Sequence, residues 1–187
     1  MPLAIRCLLF VTIPTALAIQ PPTQPGHSPQ DPGDTVSVRG QVDAPLDLQI
    51  ADLAKMTRKT VSATDHDGHV SQYEGVALSE VLKRAGVNHG APLRGGALTT
   101  FLLVEARDGY RVLFALPELD EAFTEHVVLL ADHRDGKPLV HPEGPFRLVV
   151  PHEKKAARWV RQVTQLTVHK LPPMPDTTSN TEAKPGF

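Results

Sequence analysis

The densest run of side chains able to do chemistry lies between positions 147 and 161: Arg147, His152, Lys154, Lys155, Arg158 and Arg161. Cations at this density suit an anion, because guanidinium and ammonium groups grip phosphate or sulfate oxygens through charge-assisted hydrogen bonds. Residues 151–157 read as a loop between two strands, and clustered Arg and Lys beside backbone N–H groups make a phosphate or oxyanion cradle. The competing reading is a solvated basic face that balances residues 105–135, which hold eight acids against three arginines. Arg147 stands between apolar neighbours in a strand-like run, so its head group needs a partner. That partner is either an acid such as Glu105 or a bound anion. Asp65, His66, Asp67 and His69 have the types that ligate zinc or another divalent ion. A tight turn splays successive side chains, however, and an ordinary polar hairpin tip explains them as well. Trp159 suits stacking on a flat heterocycle or core packing. Tyr110, His126 and His133 read as hairpin, packing or surface residues. No GxSxG motif supports Ser-His-Asp chemistry.

The elements that must position these residues are mostly strands. Val36, Val38 and Val42 alternate with polar residues, as do Leu46, Leu48 and Ile50, which is the period of a sheet with one buried face. A short helix follows over residues 51–56. Residues 59–64 and 70–73 flank Asp67-Gly68, and residues 100–106 and 110–115 flank Asp108-Gly109; both read as hairpins. Ala77, Leu78, Val81, Leu82 and Ala85 have helical spacing, closed by Gly86. Pro117 opens a short helix through Ala122. Residues 127–131, 147–150 and 160–168 complete the strands. The sum predicts a mixed, β-rich α+β domain with short helices. Regular alternation of strand and long helix is absent, as are GxGxxG and Walker A motifs, so a Rossmann or P-loop fold is excluded.

Composition sets the outer limits. The chain has 187 residues and 41% hydrophobic content, enough for one domain with a real core. Its net charge of −2 lacks the basic excess of a nucleic-acid binder. The single cysteine, Cys7, rules out an intramolecular disulfide framework and a cysteine-built zinc or iron–sulfur site. Cys7 lies in a leader-like segment: Arg6, an apolar run from 7 to 18 too short to span a bilayer, then Ala16-Leu17-Ala18. Residues 1–18 are expected to be a cleaved secretory signal, leaving no thiol and no membrane span in a periplasmic or extracellular product. Residues 19–34 and 171–187 are proline-rich and expected to be tether and tail, and residues 35–170 the folded domain.

Several segments resemble the sulfite-oxidase-type molybdopterin-binding domain family, especially its short exported members. They are Tyr73-Glu74-Gly75-Val76-Ala77-Leu78 with Val81-Leu82 and Ala85-Gly86, and Asp108-Gly109-Tyr110. The more specific match joins Ala131 and Gly136-Lys137-Pro138-Leu139 to Gly144-Pro145-Phe146-Arg147-Leu148-Val149-Val150-Pro151. Ala156, Trp159-Val160-Arg161 and Val163 match the domain's end. The resemblance implies a mixed α+β fold that grips the phosphate and pterin of molybdopterin through Arg147, His152, Lys154, Lys155, Arg158 and Arg161. It implies an oxidoreductase whose partners are the pterin cofactor or a small oxyanion and a redox or scaffold protein. The sequence departs from the family at telling places. Catalytic members ligate molybdenum with a cysteine thiolate in the strand that here spans residues 59–65, where only Ser62, Thr64 or Asp65 offers oxygen, a harder donor. Glu143 stands where the family often has histidine, with His141 two residues earlier, and His152 and Lys155 replace glycines of the following loop. These departures imply the alternative: a non-catalytic descendant that binds a small anion or a protein without molybdenum.

Overall fold

The structure, a computed structural model, describes residues 34–65 and 68–172. The expected signal, nearly all of the tether and the tail beyond Pro172 lie outside the described residues, as do His66 and Asp67.

In chain order the strands are β1 (Val36–Gly40), β2 (Leu46–Leu48), β3 (Arg58–Thr64), β4 (Val70–Ala77) and β5 (Thr100–Ala106). They continue as β6 (Arg111–Ala115), β7 (Leu129–Arg134), β8 (Lys137–Pro138), β9 (Arg147–Val149) and β10 (Val163–Lys170). Helix α1 spans Ile50–Leu53 and α2 spans Leu78–Arg84. One sheet has the order β2-β1-β10-β5-β6; the other runs β3-β4-β7-β8, with β9 also on β7. Every pairing is antiparallel except β1 with β10, where Ser37 faces Gln165. The mixed, β-rich architecture is the one expected.

The strand patterns explain the core. Val36 and Val38 of β1, Leu102 and Val104 of β5 and Leu166 of β10 are fully buried on one face of the first sheet. Tyr73 and Val76 of β4, Leu129 and Leu130 of β7 and Leu148 of β9 join the same core from the second. Helix α2 adds Leu78, Val81 and Leu82, and Gly86 beyond its end takes the positive φ of +78° that ends a helix without a side-chain clash. Gly75 serves a different need. A Cβ there would lie 2.1 Å from the Leu130 carbonyl oxygen, so only glycine permits the close, bulged approach of β4 to β7.

The differences from the expected elements have local causes. The helix expected from Pro117 is a 3₁₀ turn over Leu116–Leu119, because the Asp120 carboxylate accepts from Gly90 N (2.5 Å) and Ala122 N (2.8 Å) and turns the chain away. The last strand begins at Val163, not at 160, because Gln162 adopts a φ of +49°. Strand β8 is a two-residue return across the Asp135-Gly136 turn, too short for any sequence pattern to reveal.

Candidate functional site

At one end of the domain a cavity of about 280 Å³ opens between the two sheets. Asp65, just past β3, and Arg147 of β9 line one side; Ala106, Asp108 and Tyr110 of the β5–β6 hairpin line another; Ala156, Ala157, Trp159 and Arg161 close it. Arg147 is the largest fully buried side chain, 1% exposed. β9 is buried along its whole length, so the arginine's head group lies in the interior. Its Nη2 donates to Asp65 Oδ2 at 2.8 Å, and its Nη1 donates to Glu143 Oε2 at 3.0 Å and to the Tyr73 hydroxyl at 3.3 Å. Tyr73 also donates to Asp65 Oδ2 at 3.2 Å. The guanidinium carbon lies 5.4 Å from the ring centres of both Tyr73 and Trp159, which meet edge to face at 5.8 Å. Burial pushes the Tyr73 hydroxyl pKa up, so it stays protonated and able to donate. One group in this assembly is unsatisfied: Arg147 Nε is buried and makes no hydrogen bond. Leaving such a donor empty costs about 1–3 kcal/mol.

The ion pairs extend beyond the cavity. Glu143 Oε1 accepts from Arg134 Nη1 at 2.8 Å, so acid and base alternate from Asp65 through Arg147 and Glu143 to Arg134. Glu105, the acid proposed for Arg147 from sequence, instead pairs with Arg111 at 2.6 Å on the exposed side of the first sheet. Sequence reasoning missed Asp65 and Glu143 as Arg147's partners. Glu143 lies only four residues before Arg147, in the loop that leads into β9, whereas Asp65 is 82 positions away and no spacing rule connects it with position 147.

Of the six basic residues singled out from sequence, the cavity brings together Arg147 and Arg161. Lys154 and Lys155 are exposed outside it. Arg158 is drawn into Glu153 (2.7 Å) and Glu118 (3.0 Å) while its guanidinium covers the Phe114 ring at 4.2 Å. His152 stacks on His126 with ring centres 4.0 Å apart. Burial first, then the neighbouring His126, holds the His152 pKa below its ordinary value. His141 lines a separate cavity beside β8 with Glu143 and Arg134. Of the oxygen donors on the first hairpin, Ser62 and Thr64 are exposed and Asp65 alone reaches the cavity. Asp65 N–H donates to His69 O at 3.0 Å, closing the hairpin, and no group of three or more metal-ligating side chains occurs among the described residues.

The domain is thus α+β, with a polar cavity lined from both sheets and a buried arginine in its wall. Residues 27–175 match the model of the oxidoreductase molybdopterin binding domain, and the chain belongs to that family. Its fold is also that of the crystal structure of the sulfane dehydrogenase SoxCD from Paracoccus pantotrophus, with a TM-score of 0.57 and 23% sequence identity. That likeness covers 72% of this chain but only 38% of the SoxCD chain. No curated protein sequence matches.

The residues present do not fit a molybdenum-bearing pterin. The described residues offer no thiolate, and Asp65, the cavity carboxylate beside the end of β3, is already engaged by Arg147 and Tyr73. Molybdopterin brings an anionic phosphate and anionic sulfurs. The ionisable groups lining the cavity are two carboxylates, Asp65 and Asp108, and two guanidiniums, Arg147 and Arg161, with no net positive charge.

Proposed function

We propose that this chain is an exported, metal-independent member of its family that binds a small monoanionic ligand in the cavity floored by Arg147. The observation that carries this reading is the buried Arg147 Nε without an acceptor, in a guanidinium whose other edges are held by Asp65 and Glu143. An oxygen of a small oxyanion supplies that acceptor. Asp65 and Glu143 fix the plane of the guanidinium, Tyr73 and Trp159 exclude water from its faces, and Arg161 supplies a second cation at the wall. Local neutrality favours a ligand with a single negative charge over a multiply charged one. The leader-like residues 1–18 support a periplasmic or extracellular site of action.

The test has two arms. Protein purified from a host that loads a control molybdoenzyme is assayed for molybdenum and, after oxidation, for pterin fluorescence. Substoichiometric amounts of both are expected, whereas full occupancy of either overturns the proposal. In the second arm, methanesulfonate is titrated against the fluorescence of Trp159, the chain's single tryptophan. A saturable change is expected, weakened about tenfold or more by Arg161→Ala, since charge-assisted hydrogen bonds contribute ~1.5–3 kcal/mol.

A further inference from the structure

The cavity has a floor and a rim that differ in burial. Arg147 at the floor is 1% exposed, whereas Tyr110 at the hairpin tip is 49% exposed. Two of the ties that join the β5–β6 hairpin to the segment carrying Ala157 and Trp159 bear on the cavity; a third, Arg158 Nη1 donating to Leu113 O at 3.0 Å, lies outside its lining. The inner one is Arg107 N–H donating to Gln162 O at 3.0 Å. The outer one is the Tyr110 hydroxyl donating to Ala157 O at 2.6 Å, short for a hydroxyl hydrogen bond and well formed. Both Tyr110 and Ala157 line the cavity. The tip itself is fixed: Tyr110 N–H donates to Asp108 Oδ1 at 2.9 Å, and Gly109 takes a φ of +85°. Tyr110 is therefore a bar set across the cavity from a braced support, and its far end is held by one hydrogen bond.

We propose that Tyr110 selects ligands by size, admitting small oxyanions and rejecting the same head group on a bulky body. This rests on the reading of the cavity as a monoanion site. The floor recognises the charged head, and alanines at 106, 156 and 157 leave the walls smooth, so discrimination by bulk falls to the bar. The tyrosine touches the ligand's path and does not set the floor's chemistry. Removing its hydroxyl therefore frees the bar and leaves the head-group site intact.

Methanesulfonate and camphorsulfonate share a head group and differ in bulk, so the ratio of their affinities reports the bar. Both are titrated by Trp159 fluorescence and by calorimetry against the full chain and its Tyr110→Phe and Tyr110→Ala variants, with the melting temperature of each recorded. The full chain is expected to prefer methanesulfonate. Tyr110→Phe keeps the ring and loses the tie, and should narrow that preference about five- to tenfold, the worth of one net hydrogen bond. Tyr110→Ala should narrow it further. An unchanged ratio in a folded Phe or Ala variant overturns the assignment of Tyr110 and leaves the cavity reading standing. Absence of methanesulfonate binding to the full chain overturns the cavity reading, and this inference with it. A fall in methanesulfonate affinity equal to that for camphorsulfonate overturns the division between bar and floor.

Discussion

Arg147 carries a full charge at 1% exposure, and its stability depends on the acids around it. Replacing it with methionine keeps the volume and leaves Asp65 and Glu143 without their partner, so Arg147→Met should cost about 3–5 kcal/mol in urea unfolding. Asp132 has the same character elsewhere: it accepts from both Arg58 nitrogens at 2.7 Å and from His133 Nδ1 at 2.8 Å, and is 1% exposed. Burial opposes its ionisation, but Arg58 and His133 outweigh that and hold its carboxyl below the ordinary value of 3.8. A lowered folded-state value means that the unfolded chain binds its proton first. The stabilisation is therefore complete above the unfolded value near 3.9 and is lost as pH falls through the folded one. Asp132→Asn should remove that part of the acid limb in unfolding curves collected from pH 6 down to pH 2. At this scale the sequence was half legible. It showed that Arg147, an arginine among apolar neighbours, needed a partner, and it named Glu105 where the structure has Asp65 and Glu143. Strand alternation tells which face a side chain takes; it does not tell which loop from elsewhere in the chain meets it.

At the scale of elements, the hairpins, α2 and the long strands were legible because each carries a periodicity or a turn dipeptide of its own. β8 and the 3₁₀ turn at residues 156–158 carry neither, and the loop expected to form one basic cradle instead divides its charges among Glu153, Glu118 and solvent. Gly75 was visible as part of a motif, but its reason lies in the neighbouring strand. Gly75→Ala must push β4 away from the Leu130 carbonyl, and a loss of about 3 kcal/mol or more, read by thermal melting, is expected from overpacking at a backbone contact. The segment after β9 is joined to the loop after Asp120 by the His152–His126 stack. The lowered His152 pKa means that the unfolded state takes up its proton at higher pH than the folded state. This contribution is full above the unfolded value near 6.5 and declines as pH falls below it. Glu153 opposes the shift and Arg158 reinforces it. Melting temperatures compared at pH 7.5 and pH 5.5 should fall less for His152→Gln than for the parent chain.

The charged interior is held by paired side chains, and the described residues contain no thiol and no cluster of three or more metal-ligating side chains. The protein's melting temperature should therefore be the same with and without a chelator, and with and without a reductant; a drop in chelator reveals a bound metal. The parallel pairing of β1 with β10 has one more consequence. Ser37 Oγ donates to Thr164 O across 127 positions of sequence, and the two strands lie side by side in the interior of the first sheet. A chain emerging from the ribosome, amino end first, cannot complete that sheet until β10 is free. Until then β1 has β2 alone, and β5 has β6 alone, as partners. Such high contact order slows folding. The arrangement thus builds in a delay: the first sheet stays in two separate pieces and closes only when its last strand arrives.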